Sequence, residues 1–235
     1  MIKIAVPARA LAVAAACACI AGGAQAVALD KSFTGGSPNF LDTALGGTTV
    51  AVRPELAGTL VEDVVQSFSF AGLTGTVQNR VVREDGSGHL DFYWRVSVDG
   101  EEDRTVTGES GLTGLRLINF GYDAITDADW RRDGLGQTAP TLARVFNNVT
   151  HPTGAVNFLF LDPNLNGGSS SYFIFLHTTA TAYAKTALYD LVSAPGQTSI
   201  SGTYSTFAPA VPEPSAYALM AFGLAALGLV ARRRR

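Results

Sequence analysis

Cysteine is almost absent from this 235-residue chain: Cys17 and Cys19 are the only two, and both fall in an apolar run near the N-terminus. Once that run is removed, the chain has no disulfide, no thiolate metal site and no cysteine nucleophile. Histidine is scarce too. His89, His151 and His177 have no partner at metal-ligand spacing, and no H-E-x-x-H occurs, so no zinc motif is legible. Charged residues make up only 16% of the chain. Six of the 17 basic residues sit at the two extremes, leaving eleven against nineteen acidic residues between positions 27 and 211, a net of −8. A nucleic-acid partner, which rewards clustered Lys and Arg, is excluded. No G-x-S-x-G elbow exists; Ser110, in Gly108-Glu109-Ser110-Gly111, has the wrong spacing. No fixed-period repeat is present.

The two ends carry the strongest patterns. Lys3 and Arg9 precede an apolar stretch, Ala10 to Ile20, and Ala24-Gln25-Ala26 follows with small residues at the −3 and −1 positions. That is a secretory signal peptide over residues 1–26 with its cut after Ala26, and it implies signal peptidase as a processing partner. Its apolar core is about 11 residues, short of the roughly 20 that span a bilayer. At the other end, Pro212-Glu213-Pro214 forms an extended strip, because proline disfavours helix in the residue before it. Ser215 stands at an N-cap position. Residues Ala216 to Ala231 are uncharged and apolar, a helix of roughly 24 Å. Snorkelling and local thinning fit such a length to a membrane. Arg232, Arg233, Arg234 and Arg235 close the chain and, staying cytoplasmic, place the preceding domain outside.

Between the ends, residues 27–47 read as an entry segment, 48–207 as an ectodomain, and 208–235 as linker and tail. The ectodomain reads as short strands with turns. Thr48–Arg53 is β-prone, and Val64–Phe70 and Thr74–Arg83 follow. In His89–Val98, Phe92, Trp94, Val96 and Val98 point one way and Tyr93, Arg95, Ser97 and Asp99 the other, a half-buried strand. Arg104–Thr107, Leu112–Phe120, Leu142–Phe146, Ala155–Leu161, Ser171–Thr178 and Thr198–Phe207 continue the series. Ala180–Val192 suits a strand or a short helix. Phe158, Phe160, Phe173 and Phe175 are expected to meet in one core. The sum is all-β: a two-sheet antiparallel sandwich, jelly-roll-like first and immunoglobulin-like second, between the signal helix and a C-terminal transmembrane helix.

Several constellations invite a chemical reading. Asp123, Asp127, Asp129 and Asp133 cluster around Trp130, Arg131 and Arg132, and short-spaced carboxylates are candidates for a weak extracellular Ca²⁺ site or a glycosidase pair. The alternative is a solvated loop with local Asp–Arg pairs. Asp162-x-Asn164-x-Asn166-Gly167 begins like an EF-hand loop, but Phe173 stands where the bidentate Glu belongs. Asn148-Val149-Thr150 is a glycosylation sequon by pattern only. Tyr93, Tyr122 and Trp130 are candidates for stacking on sugar rings.

The order Pro212-Glu213-Pro214, apolar helix, Arg232–Arg235 resembles the PEP-CTERM sorting signal of Gram-negative bacteria. The resemblance implies recognition by an exosortase, a membrane transpeptidase that cleaves near the Pro-Glu-Pro strip, and delivery to the envelope, surface or extracellular matrix. The segments GTVQNRVVRE, LDFYWRVSVD, DADWRRDGLG, TATAYAKTALYDL and STFAPAVPEPS resemble the ectodomain of uncharacterised PEP-CTERM proteins, which supply no activity. The expectation is a non-enzymatic exported protein with no catalytic residue and no cofactor. Its partners are the two processing enzymes and, through the tail helix, the membrane. The alternatives are a carbohydrate-binding module for exopolysaccharide and an enzyme acting on polysaccharide.

Overall fold

The computed structural model describes residues 27–33, 39–101, 111–147, 156–194 and 199–210. The signal segment with Ala26 and the tail with Pro212, Glu213, Pro214 and Arg232 to Arg235 lie outside the described residues, as do Arg104–Thr107, Ser110, Asn148 and His151. Among the described residues no helix is long and apolar enough to cross a membrane.

The strands are β1 (Val27–Ala28), β2 (Phe40–Ala44), β3 (Gly58–Phe70), β4 (Leu73–Glu84), β5 (Leu90–Glu101), β6 (Gly111–Ile118), β7 (Ile125–Trp130), β8 (Leu142–Phe146), β9 (Val156–Leu159), β10 (Ser169–Ser170), β11 (Ile174–Thr178), β12 (Tyr183–Ala194), β13 (Ser199–Ile200) and β14 (Tyr204–Pro209). They form two seven-stranded sheets, antiparallel throughout. The first runs β1-β7-β11-β5-β4-β3, with β10 also on β5. The second runs β13-β12-β6-β9-β8-β2, with β14 also on β12. Each sheet is larger than those of a jelly roll, which holds roughly eight strands in all.

Local sequence explains the longest ladder. β3 and β4 pair from Gly58↔Glu84 to Phe70↔Leu73, so only Ala71 and Gly72 form the turn. Their φ values of 51° and 75° are the left-handed pair that a two-residue type I′ hairpin demands. The inner faces meet in one core. Val77 and Val81 of β4, Phe92, Trp94 and Val96 of β5, Leu115 and Leu117 of β6, and Leu191 of β12 are all buried. Phe120 stands edge-on to Phe92 at 5.1 Å and to Trp94 at 5.6 Å. A polar chain crosses the core without orphans: the Trp94 indole N–H donates to Thr206 Oγ1 at 2.9 Å, and that hydroxyl donates to Asn79 Oδ1 at 3.0 Å. Each buried polar group needs such a partner to avoid its desolvation cost.

Four expectations change. The entry segment belongs to the sandwich, because β1 is an edge of the first sheet and β2 an edge of the second. Thr48–Arg53 is not a strand but part of a covering segment. Ala180–Val192 resolves as β12, the longest strand of the second sheet. Phe158 and Phe160 join the main core, whereas Phe173 and Phe175 lie on the other side of their sheet.

Trp94→Ala removes the largest fully buried side chain among the described residues and takes away the donor to Thr206 Oγ1. The expected loss is about 3–5 kcal/mol, read as a lower urea midpoint at unchanged slope.

Candidate functional site

The outer face of the first sheet carries the unusual chemistry. Asp127 on β7 faces His177 on β11, which faces Asp91 on β5. The next row is Asp129, Phe175 and Tyr93, continued by Arg80 on β4. An outer face ordinarily meets water, but residues 46–57 lie across this one as a strap ending in a 3₁₀ turn, Pro54–Leu56. Leu56, 2% exposed, packs with Tyr93, Phe173 and Phe175 in a second apolar cluster, flanked by Val50 and Val82. The strap therefore converts a charged sheet face into an interior.

Aspartates fasten it. Asp129 Oδ1 accepts from the Gly47 N–H at 2.7 Å, and Asp133 Oδ2 from the Val50 N–H at 2.8 Å. Backbone bonds Thr48 N–H to Trp130 O and Arg132 N–H to Thr48 O, 2.9 and 2.8 Å, join the same segments. Arg53 reaches down with both terminal guanidinium nitrogens to Asp127, at 2.9 and 3.3 Å, and with Nε to Glu55 at 2.8 Å. Burial works against the Arg53 charge, but the bonds to Asp127 and Glu55 outweigh it and raise its pKa. Gly47 sits at φ +72° with its Cα against Trp130; a Cβ there would lie 2.4 Å from the indole ring. Only glycine meets both demands.

Beside the strap, Glu84, Asp91 and His177 converge from β4, β5 and β11. His177 Nδ1 lies 2.7 Å from Asp91 Oδ1 and 2.8 Å from Glu84 Oε1. The nitrogen has hydrogen-bonding geometry toward Asp91 only, and Glu84 Oε1 has no hydrogen-bond partner. Ser87 Oγ donates to the other Glu84 oxygen. Asp91 is fully buried and Glu84 is 4% exposed. Burial pushes the Asp91 carboxyl up to about 6, against the pull of His177. Burial alone would lower His177, but the Asp91 hydrogen bond and the surrounding carboxylates raise it.

The four aspartates weighed as weak calcium candidates do not share a site. Asp127 pairs with Arg53, Asp129 and Asp133 cap the strap, and Asp123 is exposed on the Tyr122–Ala124 turn. Calcium needs six to eight converging oxygens, roughly; here Asp127, Asp129 and Asp133 each face a different partner. The segment is a strand over 125–130, between β1 and β11, rather than a solvated loop, but the local Asp–Arg pairing holds at Asp133, 2.6 Å from Arg131 Nε. Of the three candidate stacking aromatics, Tyr93 is buried and Trp130 and Tyr122 are half-buried. Tyr93 is 4% exposed, Trp130 packs on Tyr172 at 4.7 Å, and Lys31 covers the Tyr122 ring at 4.6 Å. What the sheet does offer is an open pocket of about 300 Å³ beside the strap, lined by Arg80, Tyr93, Arg131, Asp133, Leu135 and Phe173.

Arg53, Glu84 and Asp91 were not singled out from sequence. One signal for Asp91 existed: it interrupts Leu90-Asp91-Phe92-Tyr93-Trp94 at the outward parity, and a carboxylate among aromatics needs a partner. Arg53 and Glu84 have local partners in Glu55 and Ser87, but the partners that place them in this site, Asp127 and His177, lie 74 and 93 residues away.

Arg53→Met leaves Asp127 buried without its cation and loosens the strap. The expected cost is about 3–5 kcal/mol, with new protease cleavage between residues 46 and 57. Pairing it with Asp127→Leu is expected to recover most of that loss, which a double-mutant cycle measures.

The last described strand lies close in sequence to the Pro-Glu-Pro strip. β14 runs through Pro209, and the Ala210 N–H still donates to Ala182 O at 2.9 Å. Ala208 and Pro209 are thus part of the sheet and not of a linker, and the Pro-Glu-Pro strip begins two residues past Ala210. No curated protein and no solved structure matches the chain. A family model described as "PEP-CTERM protein-sorting motif" matches residues 210–235, the stretch that follows β14 in the sequence. The protein is therefore a two-sheet β-sandwich carrying a PEP-CTERM sorting motif, the signal of an exported protein handled by an exosortase.

Proposed function

We propose that this chain is a non-enzymatic surface or matrix protein. A signal peptidase removes residues 1–26, the tail helix over 216–231 holds the sandwich outside the inner membrane, and an exosortase cuts near Pro212-Glu213-Pro214. The sorting motif at 210–235 carries this reading. The sandwich's acidity between 27 and 211 supports it, since a body of net charge −8 stays off anionic lipid once the tail is cut. So does the long edge strand β3, which presents Leu60, Val61 and Val65 to solvent at 49%, 38% and 58% exposure, a surface suited to lateral contacts in a matrix. The carboxylates that converge among the described residues, Glu84 and Asp91, are buried against His177.

A second reading, carbohydrate binding, rests on the pocket and not on the aromatic trio. Its guanidiniums Arg80 and Arg131, the Asp133 carboxylate and the Phe173 ring supply the polar and aromatic groups that sugar recognition uses. Binding of the producer's own exopolysaccharide that Arg131→Ala abolishes would favour it; no binding at millimolar sugar would remove it.

The sorting reading is checked by fractionation. The double variant Pro212→Ala/Glu213→Ala is expected to accumulate in the inner membrane at unprocessed mass, whereas the native chain reaches the envelope or medium. Identical location and mass for both would refute it.

A further inference from the structure

We infer that Glu84, Asp91 and His177 form a binding site for one divalent transition-metal ion, clamping strands β4, β5 and β11 together. Four carboxylates, Glu55, Glu84, Asp91 and Asp127, surround this corner, and the Arg53 guanidinium is already committed to two of them. The decisive observation is Glu84 Oε1. It belongs to a side chain 2% exposed, it has no hydrogen-bond partner, and it points at a nitrogen that is hydrogen-bonded to Asp91. A neutral imidazole has a single N–H and serves one carboxylate, and an orphaned buried carboxylate oxygen is costly.

A cation solves what a proton does not. Ligands at about 2.1 Å from a tetrahedral ion lie about 3.4 Å apart, and at a right angle in an octahedral one about 3 Å apart. The observed Nδ1–oxygen separations of 2.7 and 2.8 Å are shorter than either, and all three donor atoms lie within 4.8 Å of one another. The three side chains would spread apart to seat the ion. One imidazole and two carboxylates suit zinc, manganese or iron; calcium takes oxygen ligands and gains nothing from His177. The outer shell is in place: Ser87 holds the second Glu84 oxygen, and Tyr93 Oη lies 3.4 Å from Asp91 Oδ2. The His177 side chain, 16% exposed, marks the entry route. Three protein ligands also leave coordination positions for water or an oxygen ligand from outside.

The test uses the untagged full-length chain in mild detergent, stripped with chelator and verified as folded by circular dichroism. It is titrated separately with Zn²⁺, Mn²⁺ and Ca²⁺. One equivalent of Zn²⁺ or Mn²⁺ is expected to bind at micromolar affinity or better, with Ca²⁺ at least tenfold weaker. Glu84→Gln is expected to weaken binding by about 100-fold or more, beyond the usual cost of an outer-shell change. Absence of stoichiometric binding, Ca²⁺ binding as tight as Zn²⁺, or an unchanged affinity in folded Glu84→Gln overturns the inference. X-ray absorption on the zinc-loaded native chain reads the same ligand set without any variant: one imidazole among oxygen ligands supports it, and none or several overturns it.

Discussion

The pairing of Arg53 with Asp127 governs the unusual half of this molecule. A sheet with one face on a core leaves the other face to water, and side chains there are normally free to be polar. Here residues 46–57 cover that face, so the carboxylates beneath lose their solvent and must find partners. Arg53 comes down from the strap to supply one charge, and strap amides supply hydrogen bonds to Asp129 and Asp133. In return the strap's apolar side chains gain Tyr93, Phe173 and Phe175 to pack on. Breaking the ion pair would uncover both the charges and the second apolar cluster, so the two stabilise each other.

This arrangement explains how the same aspartates suggest calcium in sequence and hold a strap in space. Read linearly, Asp123, Asp127, Asp129 and Asp133 look like a ligand string. In the fold, alternation along β7 sends Asp127 and Asp129 to one face while Ala128 enters the main core. Asp is depleted in strands, so Ile125–Trp130 does not read as one. The cost of placing carboxylates there is met by a segment about 80 residues earlier, which no local pattern reveals.

Much of the sandwich was legible. The period-two alternation of Phe92, Trp94, Val96 and Val98 marks their inward side, and all four are core residues. The turns at 84–88 and 162–168 are where glycine, aspartate and asparagine put them. Strand partners and the division of phenylalanines between two cores were not legible, because sheet order depends on long-range pairing. The buried cluster shows the same limit: Glu84, Asp91 and His177 come from three strands and become neighbours only through registers such as His177↔Asp91. By contrast, the sorting motif is a contiguous string whose recognition needs no tertiary structure, and residues 210–235 match its family model.

Pro212 follows the last residue of β14, Pro209, by three positions in the sequence. A cut there would leave every described strand in the released chain. Mass spectrometry of the mature chain's C-terminus, from cells with and without the exosortase, tests this most directly. The account predicts a terminus at or near residues 212–214 when the enzyme is present and an intact Arg235 when it is absent. An intact Arg235 in both would contradict it.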